Sequence, residues 1–421
     1  MTTNTDEFAP LLASARELAR RFAGQADAID RSGQLPVAHF QALFDAGLLA
    51  LNIRKEQGGH GAGLAVSEAV VRTIAEGEPS TALVLAMHYI QHGAIAAGAE
   101  GGWPEHLART VADAALRGVA LVNASKVDAG FGSLSHGGPP GAAPGVPGVP
   151  AAEGRTVARR TDDGWSISGH KKYVTGSRLL RWVNVALVTD ETPPRAGNAL
   201  IPLDAEGVSI VDVWNPLGLR GTGSHDVVFD NVRLPHDHFF ARPVAADGSA
   251  APPVRGGGWY LLLVGSVYLG VAQAARNSIV AFANAFSPGS LGAAVATLPR
   301  FQEQIGRIEA SLAAARHLLQ SVARAYDASA GIAQDDYEQI DRDASAARIS
   351  AINTAIAVTG LALELAGHEG LTASADIVRH HRNALQGRGH GPKESAVHLR
   401  LGQQALRGAA FLDASSRQLP A

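Results

Sequence analysis

Apolar residues recur at three- and four-residue spacings from Phe8 to about Asp30, with Leu11, Leu12, Ala15, Leu18, Ala19 and Phe22 on one stripe. That spacing predicts a helix. Ser32-Gly33 and Pro36 interrupt it, and the period resumes over Ala38–Ala46, with Phe40, Leu43 and Phe44 inward and Gly47 as the stop. Gly58, Gly59, Gly61 and Gly63 form a turn before a helix from about Ala65 to Ala75. Pro79-Ser80-Thr81 then starts Ala82–Ala97, which is almost wholly apolar and therefore expected to be buried; Pro104–Leu116 closes an all-helical block.

At Gly118 the pattern changes. Short β-branched and aromatic runs follow, at Val119–Val122, Trp165–Ser168, Lys172–Val174, Trp182–Val188, Asn198–Pro202, Val208–Trp214 and Val227–Phe229, separated by turn residues. The stretch Trp214–Pro235 reads as a broken turn, a strand, a tight turn at Asp230-Asn231 and an exit. Gly137–Pro150 is low in complexity and expected to be a loop. From Gly258 the helical period returns, in Tyr260–Ala285, Leu298–Ala328, Tyr337–Ala366 and a last helix from Ser395. The expected class is α+β: an all-α domain at 1–117, a β-barrel or sandwich at 118–240, and a four-helix bundle at 241–421.

Composition narrows the function. The 421 residues are 46% hydrophobic and 18% charged, as in a globular protein of more than one domain. A net charge of -3 gives no electrostatic reason to bind nucleic acid or an anionic membrane. No cysteine occurs, which excludes disulfides, thiolate metal ligands and thiol nucleophiles and is compatible with the reducing cytoplasm. The N-terminus has no apolar core of the signal-peptide kind, and the longest apolar run, Trp259–Ala275, is broken by glycines and Gln273. A soluble, cytoplasmic protein is expected.

Several segments together carry a resemblance. Asp30, Gly33, Pro36, Phe40, Ala46-Gly47-Leu48 and Gly58-Gly59-x-Gly61 open the chain; Gly169-His170-Lys171-Lys172-Tyr173-Val174-Thr175-Gly176 lies in its middle. Pro216-Leu217-Gly218-Leu219-Arg220-Gly221-Thr222 and Phe229-Asp230-Asn231-Val232-Arg233-Leu234-Pro235 are the most specific. In this order and spacing they resemble the acyl-CoA dehydrogenase superfamily over nearly the whole chain. The resemblance implies a flavin between the β module and the C-terminal bundle, usually in a homotetramer. It places Asn123, Ala124 and Ser125 on the first flavin-edge strand, and Tyr173 and Thr175 on the second, against the ring face and rim. Short polar side chains beside an aromatic plane suit a planar heterocycle with a hydrogen-bonding rim.

Dehydrogenases of this superfamily take a proton with a glutamate. In most, it sits where His390 stands here; in others, on the first bundle helix ahead of Leu269-Gly270-Val271-Ala272-Gln273, where Tyr260 stands. Both seats lack a carboxylate. Arg382-Asn383-x6-His390-Gly391-Pro392 is instead similar to the flavin-dependent monooxygenases of the fold, the dibenzothiophene monooxygenase type. That implies reduced flavin, FMN or FAD, from a separate reductase, and O₂ reacting through a C4a-(hydro)peroxyflavin on a small-molecule substrate. It gives Arg382 and Gly391 to the cofactor and a proton-handling role near neutral pH to His390. His88 and His92, one turn apart, add a second imidazole; the alternative is that they are core residues satisfied by backbone carbonyls. Their spacing also suits zinc, yet no third ligand is evident and no metal is expected. The dehydrogenases' Arg-x-x-Phe for the FAD pyrophosphate reads Ala281-Phe282-Ala283-Asn284-Ala285-Phe286, and their Gly-Gly-x-Gly reads Ala366-Gly367-His368-Glu369-Gly370. Weak anchoring on that side fits FMN or a loosely held FAD. Two other readings stand beside this one: a dehydrogenase whose base is displaced to Glu394, and a non-catalytic helical binding protein.

Overall fold

The computed structural model describes residues 7–96, 102–129, 155–241, 257–329, 334–372 and 375–416. The expected loop at Gly137–Pro150 lies outside them. The N-terminal block contains α1 (Ala9–Ala23), α2 (Ala26–Ser32), α3 (Val37–Asp45), α4 (Leu64–Gly77), α5 (Pro79–Ala96) and α6 (Glu105–Arg117). The single helix expected over Phe8–Asp30 is two, divided at Gly24-Gln25. Helix α5 is buried on every side from Pro79 to Tyr89, as its uniformly apolar composition requires.

Eight strands form one mixed sheet in the order β6-β7-β3-β2-β4-β5-β8, with β1 added to β4. Their ranges are β1 (Leu121–Ser125), β2 (Val157–Arg160), β3 (Gly164–Val174), β4 (Leu180–Thr189), β5 (Ala196–Pro202), β6 (Val208–Val211), β7 (His225–Pro235) and β8 (Phe239–Ala241). Two expectations change here. The runs at Trp165 and Lys172 belong to one strand, and Asp230-Asn231 is no turn. Asn231 takes the left-handed conformation (φ 53°) inside β7, and the β3–β7 register shifts opposite it, between Ile167 and Gly169. A bulge absorbs the polar pair and the strand runs on.

The C-terminal bundle comprises α7 (Gly257–Ala285), α8 (Pro299–Asp327), α9 (Gln334–Gly370), α10 (Asp376–Leu385) and α11 (Glu394–Ser416). Gly367, at φ 58°, breaks α9 where the expected stop lies. Helix α10 was not expected from the sequence. Helix α7 is long and apolar enough to cross a membrane, but 89% of its most apolar window is buried inside the protein, against α4, α5 and α9. Asp327, the last residue of α8, caps α4 across the domain boundary, accepting the Leu64 and Ala65 amides at 2.6 and 2.9 Å.

The three parts meet at Asp30. Its carboxylate pairs with Arg382 of α10, and its backbone carbonyl accepts Arg220 Nε at 2.7 Å. Arg382 also donates to the Leu217 carbonyl at 3.0 Å, and the Leu219 amide donates to Asn383 Oδ1 at 2.8 Å. The backbones are so close that a Cβ on Gly218 would lie 2.2 Å from the Arg382 carbonyl oxygen, and one on Gly221 2.4 Å from Ile29. Glycine is needed there for proximity. The Asp30 side chain is only 10% exposed, so removing either charge strands the other. Asp30→Asn should cost about 3 kcal/mol, the lower end for a broken buried pair, since Arg382 is part-exposed. In urea unfolding, a double-mutant cycle with Arg382→Gln should give a coupling energy well above zero.

Candidate active site

Strands β1 and β3 end side by side. Asn123 Nδ2 donates to the Thr175 carbonyl at 3.1 Å, and Asn123 Oδ1 accepts the Ala124 amide at 2.7 Å. The Asn123 side chain is therefore spent on joining the strand ends, and the Ala124 amide is engaged as well. Ser125 differs: its hydroxyl is buried without a partner. Thr175 Oγ1 accepts from Ser224 Oγ at 3.0 Å, and Ser224 also bonds Thr222. Beside them Tyr173 sits in the left-handed region (φ 61°) with 51% of its surface exposed. An aromatic residue held in a strained conformation and half exposed, with the Lys172 ammonium 5.4 Å from its ring centroid, offers a surface suited to something planar. With the orphaned Ser125 hydroxyl, this cradle fits a flavin ring and rim.

The two histidines of α5 separate in role. His88 Nε2 donates to the Leu49 carbonyl at 3.0 Å, while Nδ1 accepts the Val122 amide of β1 at 3.4 Å. With both nitrogens occupied it has no proton to trade; it pins α5 to β1. His92 packs edge-on against it at 4.5 Å, and its Nε2 is buried without a partner. Burial, and then the neighbouring His88, hold its pKa well below the usual value. The adjacent Gly93 abuts the Trp259 ring, where a Cβ would come within 2.3 Å. This packing sets the end of α5 against the start of α7.

At that start lies Tyr260, and its hydroxyl meets His390 Nδ1 at 3.5 Å. The two positions that the resemblance sets against the dehydrogenases' glutamate, 130 residues apart in sequence, thus lie in contact. Tyr268, two turns along α7, packs edge-on to the imidazole at 5.6 Å. Arg348 of α9, fully buried, donates to the carbonyls of His390 and Pro392 and so holds the turn. Part of the His390 surface stays accessible, yet desolvation dominates, and with the Arg348 charge it lowers the pKa to about 4. The imidazole is neutral at pH 7. The expected proton exchange near neutral pH is therefore corrected to a neutral group that offers an N–H or a lone pair.

Glu394 is no substitute for the missing base. It pairs with Arg388 and accepts Asn353 Nδ2 at 2.8 Å, and these partners lower its pKa. It shares a cavity of about 240 Å³ with Arg348, Ile352, Lys393 and one side of His390. Arg382, expected on the cofactor, is committed to Asp30 and Leu217, and Gly391 is exposed with open space around its Cα. Neither reaches the strand-end cradle through any contact among the described residues. Among those residues no cluster suited to a metal occurs. The altered Arg-x-x-Phe and Gly-rich segments line one cavity of about 420 Å³, through Ala281, Phe282, Ala366 and Gly370, with Glu369 and Asp376 beside them.

Sequence models of the acyl-CoA dehydrogenase N-terminal, middle and C-terminal domains match residues 5–101, 143–232 and 262–391. A putative acyl-CoA dehydrogenase of Bacillus subtilis, YdbM, is 30% identical over 90% of this chain and 91% of its own. The chain belongs to the acyl-CoA dehydrogenase family. Also similar is SfnC of Pseudomonas putida, a probable FMNH2-dependent monooxygenase, 26% identical over 94% of this chain and 95% of its own. KijD3, solved with FMN and an amino-keto-deoxysugar nucleotide, superposes with a TM-score of 0.80 at 25% identity, covering 96% of this chain and 95% of its own. This member of the family is thus a flavin-dependent oxidoreductase of three-part architecture.

Arg348 was invisible to sequence reasoning as a site residue, although one signal existed: an arginine inside the apolar stripe of Ala347, Ile349, Ala351 and Ile352. The buried histidines give a test. His39, His88 and His390 have pKa values lowered to about 4, and His380 to about 3, chiefly by burial. The unfolded chain takes up these protons near pH 6.5 and the folded chain does not, so acid favours unfolding. Stability should be full above about pH 6.5 and fall steadily toward pH 4. His39→Gln, which keeps a partner for Thr81, should flatten that decline in urea unfolding curves.

Proposed function

We propose that the protein is a flavin-dependent monooxygenase that uses reduced flavin, O₂ and a small-molecule substrate, with the flavin supplied by a separate reductase. The observation that carries this reading is the joined seat: His390 and Tyr260 occupy both positions of the dehydrogenases' glutamate, 3.5 Å apart, and neither is a carboxylate. A neutral imidazole and a phenol whose pKa burial raises are poor acceptors for a substrate α-proton. They are good hydrogen-bond donors to an oxygen. Reduced flavin, when bound, would supply the two electrons by which one atom of O₂ enters the substrate and the other leaves as water.

The chain's own residues do the rest. The Ser125 hydroxyl and Thr175 would hold the flavin edge and Tyr173 would lie against one face, while Asn123 keeps the two strand ends together. His390, whose turn Arg348 holds, presents its free nitrogen to the oxygen being handled, and His92, with Nε2 buried and unpartnered, is the second imidazole of this reading. FMN is favoured over FAD. The segment that the resemblance sets against the relatives' pyrophosphate arginine lacks that arginine, and the Glu369 carboxylate on its cavity disfavours phosphate, Asp376 there being paired with Arg379. SfnC, a probable FMNH2-dependent monooxygenase, and KijD3, solved with FMN, support that choice. A homotetramer in the cytoplasm completes the reading.

The competing reading, favoured by the likeness to YdbM, is acyl-CoA desaturation. Two measurements divide them. Reduced FMN should raise the melting temperature more than oxidised FAD does, and butyryl-CoA should fail to bleach FAD under anaerobic conditions. Bleaching within one turnover would overturn the monooxygenase assignment. Once a substrate is found, His390→Ala should lower turnover by roughly a hundredfold, as expected when a positioned proton donor is removed, while keeping the FMN-induced thermal shift.

A further inference from the structure

The seat contains more than a histidine. Three groups fix the His390 ring: Arg348 through the carbonyls of residues 390 and 392, Tyr268 through an edge-on contact, and Tyr260 through Nδ1. Nε2 meets no hydrogen-bond partner among the described residues. A neutral imidazole carries one proton, and which nitrogen holds it decides whether the free Nε2 gives or accepts a hydrogen bond.

We propose that Tyr260 is a positioning residue whose phenol donates to His390 Nδ1, so that the neutral ring keeps its proton on Nε2 and offers an N–H to the reaction site. The direction follows from the chemistry of the pair. A phenol is a much stronger hydrogen-bond donor than a neutral imidazole, and an imine nitrogen is a better acceptor than a phenol oxygen. The Tyr260 hydroxyl is part-buried and has no other partner among the described residues, so the reverse arrangement would leave its O–H without a protein acceptor. The nearby Arg348 guanidinium disfavours a second positive charge, which keeps the imidazole in the neutral form where the tautomer matters. At 3.5 Å the contact is at the long end for a hydrogen bond, so the tautomer preference it sets is read by experiment. This inference rests on the reading of His390 as the residue facing the oxygen chemistry.

The test reads the tautomer directly. The full-length protein is labelled with ¹⁵N-histidine, and the His390 resonances are assigned by their loss in His390→Asn. At pH 7, without flavin, the wild type should show an unprotonated Nδ1 and a protonated Nε2. Tyr260→Phe should move both ring nitrogens toward a mixed or reversed tautomer. In the flavin-loaded enzyme Tyr260→Phe should reduce kcat by roughly tenfold or more with KM unchanged, as for a misdirected proton donor. A protonated Nδ1 in the wild type overturns the proposal whatever any variant does, and identical ring shifts in wild type and Tyr260→Phe overturn it as well. The failure of the monooxygenase reading would be a separate result, an enzyme with the stated tautomer that bleaches FAD with butyryl-CoA.

Discussion

The Asp30 carboxylate accepts the guanidinium of Arg382 while the Asp30 backbone carbonyl accepts that of Arg220. One residue at the end of a short helix thereby touches the C-terminal bundle and the loop leading into β7. Around this node the Gly218 and Gly221 backbones pass too close to their neighbours to carry a side chain. Asn383, beside Arg382, then takes the Leu219 amide. Position is transmitted forward along α10, because its end leads straight into the turn that carries His390. A shift of that helix would move the imidazole relative to the sheet, so a contact far from any chemistry sets the alignment of the site.

Electrostatics inside the site follow from burial more than from charge. Tyr260 and Tyr268 are pushed up, His390 and His92 are pushed down, and in every case desolvation is the larger cause. All four are neutral at physiological pH. The one buried cation nearby, Arg348, spends two of its nitrogens on carbonyl oxygens. Such a pocket is well suited to directing dipoles at an uncharged or polarised oxygen, and poorly suited to removing a carbon-bound proton.

Much of this was legible in the sequence, and the losses have physical reasons. The buried character of α5 follows from its composition. The three-part order follows from two changes of hydrophobic period. The absence of carboxylate at both positions is readable through the resemblance to the dehydrogenases; that the two positions meet is a tertiary fact. His88 and His92 look alike in one dimension, and only the positions of the Leu49 carbonyl and the Val122 amide distinguish a brace from an open nitrogen. Arg382 was given to the cofactor by the motif resemblance alone, and its pairing with Asp30, 352 residues away, is a tertiary fact that no local pattern carries. The Asp230-Asn231 pair reads as a turn because both residues favour one, yet a strand bonded to a neighbour on each side carries them as a bulge.

Tyr173 is kept where glycine would be more comfortable, and its ring is left half in water. Selection for stability alone would remove such a residue. The position therefore separates two design goals that usually travel together. A programme that ranks substitutions by folding energy would replace Tyr173 early and report success, while erasing the flat face against which the cofactor is proposed to lie. Local frustration at one backbone angle is thus a marker that a stability-guided search should leave untouched.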